Sequence, residues 1–343
     1  MTLNPSYPVS VAPMIDKTDR YFRQMMRLLT KHTLLYTEMI AAAAIIHGDR
    51  HRLLDFDSVE KPLSLQIGTG SPEDAARAVK IAQDWDFDEI NLNVGCPSDR
   101  VQSGEFGACL MAEPQRVAAI LEAMKSATDK PVTVKHRIGI RSQTRGVSME
   151  TYEELVEFVR SIQPIGVQRY TVHARIAILE GLSPKENRDI PPLRYSEVYR
   201  LKQDFPELAV EINGGIKTHG QIAEHLNYVD AVMLGRAAYD DPYLFSEMDT
   251  RYFNSTGPVP TRREVIEQAF ELLEAWHAQG QNARNLVWPI LELFAGLPGT
   301  RKWKRMLSQP IPPKKSVHEF LSAALDQAPE RWLDVRGIDV SAT

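Results

Sequence analysis

Up to residue 237, short apolar runs alternate with segments of helical periodicity. The runs rich in Val, Ile and Leu predict eight strands, at residues 9–14, 34–39, 63–68, 89–95, 132–139, 170–174, 209–215 and 231–237. Between them, apolar residues recur at the spacing of one helix face, as at Val117, Ile120, Leu121 and Met124. This alternation favours parallel pairing and predicts a closed (β/α)8 TIM barrel. An open doubly wound sheet is the alternative, although no G-x-G-x-x-G sequence follows the first strand.

The remainder of the chain has a helical pattern. Residues 254–260 (NSTGPVP) predict a linker, and apolar stripes follow over residues 265–276 and 287–294. Ser316 and Glu319 have the spacing of a capping box at the start of a further helix. We therefore expect a barrel domain over residues 1–253, a linker over 254–260 and a small helical bundle over 261–343.

Composition agrees with a globular chain and limits its chemistry. The chain has 343 residues, of which 43% are hydrophobic and 25% charged, and this length suits one barrel of about 250 residues with an addition. Cys96 and Cys109 are too far apart for a zinc knuckle or a Cys-x-x-Cys pair, and no His/Asp/Glu group has ligand spacing, so we expect no metal. Few cysteines, no leader pattern and only short apolar runs predict a cytoplasmic protein that does not associate with membranes.

Charge is unevenly distributed. Taken over the whole chain, the formal net charge of −5 argues against a protein that binds nucleic acid and against one that binds a membrane surface. However, residues 301–315 (RKWKRMLSQPIPPKK) contain six basic residues and no acidic one. Such a segment suits contacts with RNA phosphates, for which Arg301 and Lys304 are the candidates, or else it is an ordinary solvated helix face. Trp303 is expected to lie in the core of the bundle.

In a barrel of this kind, functional side chains lie at the carboxyl ends of the strands. Gly214-Gly215 after strand seven and Gly235-Arg236 after strand eight lie where barrels often bind phosphate, because glycine allows backbone N–H groups to approach an anion. Ordinary left-handed turns are the alternative. His173, beside Arg175, is expected to contact an anion or cofactor in preference to being a satisfied core histidine.

Lys135 is expected to point into the barrel. Thr133, Lys135 and Arg137 share one face of their strand, and the other face has an apolar character suited to packing against helices. A buried cation needs an anionic partner, which an electron-rich cofactor ring such as a reduced flavin would supply. A structural ion pair with Glu38 or Glu211 is the alternative.

Cys96 follows strand four in a Gly-Cys-Pro corner flanked by a polar segment, which favours an active-site loop over a buried cysteine. A thiol with a pKa of about 8.5 is mostly protonated at neutral pH, so it can donate a proton to a carbanion-like carbon. Cys109 has apolar neighbours and is expected to be structural.

At this point the chain resembles a known family. The run Asn91-Leu-Asn-Val-Gly-Cys-Pro97 is similar to the signature of tRNA-dihydrouridine synthases. The resemblance covers essentially the whole barrel and extends over VAPM (11–14), TEM (37–39), LQIG (65–68), VKHRIG (134–139), VHAR (172–175), INGGI (212–216) and LGRAAYDDP (234–242). The segments DKTDR (16–20), GLSPKENRDIPPL (181–193) and GTRKWKR (299–305) resemble the A-type branch.

The resemblance implies FMN as cofactor, NADPH as reductant and tRNA as partner, with no protein partner required. Reduced flavin would deliver hydride to C6 of uridines 20 and 20a in the D loop, and Cys96 would protonate C5. It also implies FMN contacts from Ala12, Pro13, Met14, Gln66, Lys135, His173, Asn213, Gly214, Gly215, Gly235 and Arg236. Asn93 and Arg137 would contact the uridine, and Lys185, Arg188, Arg301 and Lys304 the tRNA.

Two other functions remain open from the sequence. An FMN barrel that acts on a free pyrimidine, such as a dihydroorotate or dihydropyrimidine dehydrogenase, would share the phosphate site and Lys135 but has no use for a basic tail. An RNA-binding module on an inactive barrel would have no need of Cys96, Lys135 and His173 together.

Overall fold

A computed structural model describes residues 7–98, 101–102, 104–280, 287, 290–309 and 316–337. The chain divides into two compact units, each built from two stretches of sequence. The first unit takes in Met1–Asp16 and Leu34–Gly235, and the second takes in Lys17–Thr33 and Arg236–Thr343. This division differs from the one expected at residues 254–260, which lie within the second unit.

The first unit is built around one sheet. In the described part of the chain this sheet has ten strands, namely β1 (Val9–Val11), β2 (Leu35–Tyr36), β3 (Ile40–Ala41), β4 (Leu63–Gly68), β5 (Glu89–Val94), β6 (Val132–Ser142), β7 (Val147–Met149), β8 (Tyr170–Ile178), β9 (Val210–Asn213) and β10 (Ala231–Leu234). Eight of them pair in the order β1-β10-β9-β8-β6-β5-β4-β2, every pair being parallel. A parallel bridge between Ser10 and Leu34 joins the two ends of this order. The predicted (β/α)8 TIM barrel is confirmed.

Helices follow the strands in alternation. In the first unit the described α-helices are Ala42–His47, Arg50–Leu54, Pro72–Ala82, Pro114–Ser126, Tyr152–Ile162, Tyr195–Asp204 and His219–Leu226. Ser71 and Thr151 cap two of them by accepting from backbone N–H groups of the first turn. The predicted stripe of Val117, Ile120, Leu121 and Met124 is fully buried on its helix, because this face packs inward and removes apolar surface from water.

Two strands are longer than the sequence predicts. β6 continues to Ser142 and pairs with the antiparallel β7, and β8 continues alongside it to Ile178. Conversely, the predicted strand at 34–39 contributes only the two residues of β2, after which β3 pairs separately with β4. Alternating apolar residues do not specify where a strand leaves the barrel, because the same pattern continues in the pairing beyond it.

The second unit is helical. The helices described in it are Arg20–Arg27, Ala237–Asp240, Met248–Tyr252, Arg262–Ala278, Arg301–Leu307, Val317–Leu325 and Glu330–Leu333. Helix Arg20–Arg27 belongs to this unit because its residues pack there: Tyr21 contacts the Trp276 ring edge-on at 4.9 Å, and Phe22 stacks on Tyr239 at 5.9 Å. The predicted capping box of Ser316 and Glu319 is present.

Candidate functional site

The carboxyl ends of the strands bring several predicted residues into two rows. In one row the register pairs Asn93 with Lys135, Lys135 with Thr171, and Thr171 with Glu211. The next row, nearer the strand ends, pairs Arg137 with His173 and His173 with Asn213. Because registered residues of parallel strands lie on the same face of the sheet, these side chains belong to one surface of the barrel.

Lys135 contacts an amide side chain. Its Nζ donates to Oδ1 of Asn213 at 3.2 Å, and Nδ2 of Asn213 donates to the Met233 carbonyl at 2.8 Å. Burial lowers the pKa of Lys135 to about 8, and the charge of Arg137 acts in the same direction, whereas Glu211 opposes them. Glu211 thus acts on Lys135 through its charge, while the hydrogen-bonding partner is Asn213.

Positive charge surrounds His173. Burial holds its pKa well below the usual value, and the charges of Arg137, Lys135 and Arg175 lower it further, so the imidazole is neutral at pH 7. Burial also lowers the pKa of Arg137 to about 9, with Arg188 and Arg175 adding to the effect. Cations whose charged form is disfavoured by burial and by their mutual repulsion would be stabilised by an anion.

The Gly214-Gly215 turn has a backbone that only glycine adopts easily. Gly214 has φ of 126° and Gly215 φ of 72°. A Cβ at Gly214 would lie 2.8 Å from Leu193 and 2.9 Å from His173. The hydroxyl of Tyr195 donates to the Gly214 carbonyl at 2.6 Å and holds the turn in place. The left-handed turns of the alternative interpretation are therefore present directly after β9.

The end of β1 lies beside the end of β10. Ala12 donates its N–H to the Leu234 carbonyl at 2.7 Å, and Pro13 and Met14 follow. A Cβ added to Gly235 would meet only the Ala12 methyl, at 3.9 Å. Gly235 thus has open space where Gly214 has none. Arg236 follows it directly and begins the second unit.

Cys96 is half-buried, with a free thiol that donates to the Ser98 hydroxyl at 3.5 Å. Its backbone is fixed from two sides. The N–H groups of Gly95 and Cys96 donate to Oδ1 of Asn93 at 3.1 and 3.0 Å, and the Cys96 carbonyl accepts from the N–H of Ala108 at 2.9 Å. Cys109 is buried, as expected for a structural cysteine, and burial raises the pKa of its thiol.

Arg137 joins three segments at the strand ends. Its Nε donates to the Gly95 carbonyl at 3.0 Å, and its Nη1 donates to the carbonyls of Ile176 and Asn187 at 2.9 and 3.0 Å. Asn187 is buried and its side chain bonds both the N–H and the carbonyl of Ile178, each at 2.8 Å. The loop at 181–193 is therefore anchored to β6 and β8, while Lys185 and Arg188 are exposed on it.

The basic helix Arg301–Leu307 of the second unit has one buried face and one exposed, basic face. Trp303 is fully buried and donates from Nε1 to the Leu291 carbonyl at 3.3 Å, which confirms its core position. Arg301 is exposed, as are Lys302 and Arg305, whereas Lys304 pairs with Glu292 at 2.6 Å. Lys314 and Lys315 lie outside the described residues.

Sequence reasoning missed a polar network inside the barrel. Arg169 donates from Nη2 to Glu89 at 2.6 Å, and its Nε lies 3.4 Å from Glu211; all three are buried. Glu211 also accepts from the hydroxyls of Ser10 and Thr171 at 2.6 and 2.5 Å. The available signal was the polar residues at alternate positions of β5, β8 and β9, which place them on the inward face.

Within the part of the chain that the structure describes, no three His, Cys, Asp or Glu side chains come together so as to hold a metal ion. Every helix of that part is also too short or too polar to span a bilayer.

Comparisons with known proteins agree with the geometry. The family model "Dihydrouridine synthase (Dus)" matches residues 10–329. The tRNA-dihydrouridine(20/20a) synthase of Synechocystis sp. is 54% identical over 93% of this chain and 93% of its own. The protein of the same name from Vibrio parahaemolyticus is 49% identical over 94% of this chain and 97% of its own.

A solved complex of 2-naphthoyl-CoA reductase with 2-naphthoyl-CoA is similar in fold alone. It has a TM-score of 0.53 and 10% identity, and the match covers 71% of this chain and 50% of that one. The family model and the close relatives together span nearly all of the sequence, and they include both the strand-end residues described above and the helical second unit. The chain belongs to the dihydrouridine synthase family.

Proposed function

We propose that this protein reduces the C5=C6 bond of uridines 20 and 20a in the D loop of tRNA to 5,6-dihydrouridine, with FMN as cofactor, NADPH as reductant and the cytoplasm as its location. The single observation that supports this most strongly is the family match, since relatives named for that activity are about half identical over nearly the whole chain. The strand-end geometry supports it independently.

The donor set at the mouth of the barrel fits a flavin phosphate and ring. The left-handed Gly214-Gly215 turn and the open space at Gly235 suit an anion held by backbone N–H groups. The cations around His173 suit an electron-rich ring. We assign FMN to Ala12, Pro13, Met14, Gln66, Lys135, His173, Asn213, Gly214, Gly215, Gly235 and Arg236.

Bound and reduced, FMN supplies the hydride that C6 of a uracil ring accepts. Cys96 then donates the thiol proton to C5, which completes the addition of H⁻ and H⁺ across the double bond. Lys135 would supply positive charge to the flavin site, and neutral His173 would add a hydrogen-bonding group without further charge.

We assign the base to Asn93 and Arg137. The bonds of Arg137 to Gly95, Ile176 and Asn187 use Nε and Nη1, so the Nη2 hydrogens are not needed for them. Asn93 uses one Nδ2 hydrogen for Gln66 and has a second. We assign the exposed Lys185 and Arg188 to contacts with tRNA phosphates, together with Arg301 and Lys304. For the domain organisation we propose a barrel domain over residues 1–253, a linker over 254–260 and a tRNA-binding domain over 261–343.

Nucleoside analysis tests the proposal. Transfer RNA from cells that lack this protein should have uridine at positions 20 and 20a, and the gene for the parent chain should restore dihydrouridine there. Purified protein with FMN and NADPH should reduce that tRNA but not free uridine. Unchanged dihydrouridine in the deletion strain would contradict the function, and turnover of free uridine would favour a pyrimidine dehydrogenase.

A further inference from the structure

A chain of hydrogen bonds between side chains begins at the buried ion pair in the barrel. Glu89 bonds Arg169 through one carboxylate oxygen, and its other oxygen accepts from the Thr133 hydroxyl at 2.8 Å. The Thr133 oxygen in turn accepts from Nδ2 of Asn91 at 2.8 Å. These side chains are almost completely buried, so each depends on the others for its hydrogen bonds.

The series of hydrogen bonds continues toward the carboxyl ends of the strands. Oδ1 of Asn91 accepts from Nε2 of Gln66 at 2.8 Å, and Oε1 of Gln66 accepts from Nδ2 of Asn93 at 2.8 Å. Oδ1 of Asn93 then accepts the backbone N–H groups of Gly95 and Cys96. An unbroken series of bonds therefore runs from the ion pair to the backbone of the cysteine.

The direction of every bond is determined by chemistry at the two ends. An ionised Glu89 can only accept, so Thr133 must donate its hydroxyl hydrogen and offer its oxygen to an amide NH₂. At the other end, backbone N–H groups can only donate, so Asn93 must present its oxygen to Gly95 and Cys96. Both ends require the same orientation of Asn91 and Gln66. If either amide were reversed, its NH₂ group would face the NH₂ group of the neighbouring amide, and both are donors.

We propose that Asn91 and Thr133 are positioning residues for Cys96, acting through Gln66 and Asn93, with ionised Glu89 setting the direction. The inference rests on the proposed proton-donor role of Cys96. Neither residue lies at the strand ends, and barrel interiors are usually filled by branched apolar side chains, so packing alone does not account for amides and a hydroxyl here. In a medium of low dielectric constant, successive bonds of such a series strengthen one another.

Three substitutions and one rescue variant distinguish a role in positioning Cys96 from a role in the stability of the fold. Asn91→Leu removes the link between Gln66 and Thr133, and Thr133→Val removes the link between Asn91 and Glu89 while keeping the side-chain shape. Ser64→Ala is the matched control, because Ser64 also donates to Oε1 of Glu89, at 2.9 Å, but lies outside the series. Thr133→Ser retains the hydroxyl and should restore parent behaviour.

Hydrogen exchange of individual amides provides a readout that does not depend on turnover. In Asn91→Leu the N–H groups of Gly95 and Cys96 should exchange about threefold to tenfold faster, the factor for one ordinary hydrogen bond. Thr133→Val should give a smaller increase in the same direction, and Ser64→Ala none. The N–H of Val134, bonded to the Arg169 carbonyl at 3.0 Å, reports general loosening of the sheet and should stay unchanged.

Single-turnover reduction of tRNA is the second readout. The rate at saturating tRNA should fall in Asn91→Leu, with the tRNA concentration for half-saturation nearly unchanged, because the thiol is displaced while the phosphate contacts that supply most of the tRNA affinity remain. Thr133→Ser should recover the rate that Thr133→Val loses. If Cys96→Ala itself keeps full turnover, the proposed proton-donor role of Cys96 fails, whereas the exchange result still decides whether Asn91 positions the cysteine backbone.

Two results would overturn the inference. One is that the N–H groups of Gly95 and Cys96 exchange at the same rate as in the parent protein in both Asn91→Leu and Thr133→Val. The other is equal acceleration at Gly95, Cys96 and Val134, which would assign the series to stability alone. Should Asn91→Leu fail to fold, Thr133→Val against Thr133→Ser decides the matter, since the first loses the hydroxyl but keeps the shape of the threonine, whereas the second keeps the hydroxyl.

Discussion

The ammonium group of Lys135 donates to the side-chain oxygen of Asn213, two strands away in the barrel, at 3.2 Å. The bond holds a cation of lowered pKa, about 8, at the strand ends next to the Gly214 turn. Because the amide of Asn213 is neutral, it fixes the position of the charge without neutralising it. Lys135 is thereby available to an anion.

Loss of this cation should weaken flavin binding. Lys135→Met is expected to reduce FMN affinity by roughly tenfold to a hundredfold, the scale of a hydrogen bond to a charged group, and to make the flavin reduction potential more negative. Titration with FMN and potentiometry measure both. Lys130→Met, which removes a lysine paired with the exposed Asp86, is the control. Parent affinity and potential in Lys135→Met would exclude Lys135 from the site.

The two cysteines should differ in function. Cys96→Ala is expected to bind FMN and to be reduced by NADPH like the parent, while dihydrouridine formation falls by roughly 100-fold or more, the scale of a lost general acid. Cys109→Ala should keep its turnover and lose about 1 kcal/mol of unfolding free energy, because that thiol is buried. Stopped-flow reduction and tRNA nucleoside analysis separate the two steps. Near-parent turnover in Cys96→Ala would contradict the proton-donor role.

Substitution of Gly235 should affect FMN binding without affecting folding. The nearest atom to an added methyl is 3.9 Å away and φ is outside the left-handed region, so Gly235→Ala should fold with near-parent stability. If a flavin phosphate lies against this backbone, the methyl should still lower FMN affinity. Gly220→Ala has the same 3.9 Å clearance outside the site and should leave FMN affinity unchanged. Equal FMN affinity in both variants would argue against phosphate at Gly235.

His136 should make the protein sensitive to acid. It is fully buried, its Nδ1 bonds the Arg137 carbonyl at 2.7 Å, and burial lowers its pKa from 6.5 to about 4. Below pH 6.5 the imidazole is therefore protonated in the unfolded state but stays neutral in the folded state. The free energy of unfolding consequently decreases as the pH falls from 6.5 to 4. The loss from this residue is about 3 kcal/mol.

Denaturant unfolding at pH 7 and pH 4.5 tests this expectation. His136→Phe should be less stable than the parent at pH 7, because it lacks the bond to Arg137, but should lose less stability between the two pH values. The exposed His47→Gln should lose as much as the parent. A His136→Phe variant with the parent's pH dependence would show that other groups cause the acid sensitivity.

The basic helix of the second unit should affect RNA binding and not flavin chemistry. Arg301→Ala with Lys304→Ala should weaken tRNA binding and lower the salt dependence by about one unit for each lost phosphate contact. Arg301 is expected to contribute more, because Lys304 is already paired with Glu292. NADPH oxidation through the flavin should persist. If tRNA binds equally well at every salt concentration, the contacts belong to the 181–193 loop.

Several features of this protein follow from local sequence. The apolar runs identify all eight barrel strands, because the strand face that packs against helices needs Val, Ile and Leu. The caps at Ser71 and Ser316 need only a side-chain oxygen next to a free N–H. The face of Lys135 follows from the two-residue period of a strand. The position of Cys96 after a strand follows from the barrel rule for functional loops.

Tertiary structure decided what depends on distant residues. Helix Arg20–Arg27 precedes β2 in sequence yet belongs to the second unit, because Trp276 and Tyr239 supply its packing partners. Lys135 bonds Asn213, and Lys304 bonds Glu292, because register and helix packing bring those side chains together. A sequence states which groups need a partner. Only the closed barrel, by placing β5 beside β4 and β6, determined that Asn91 joins Gln66 to Thr133.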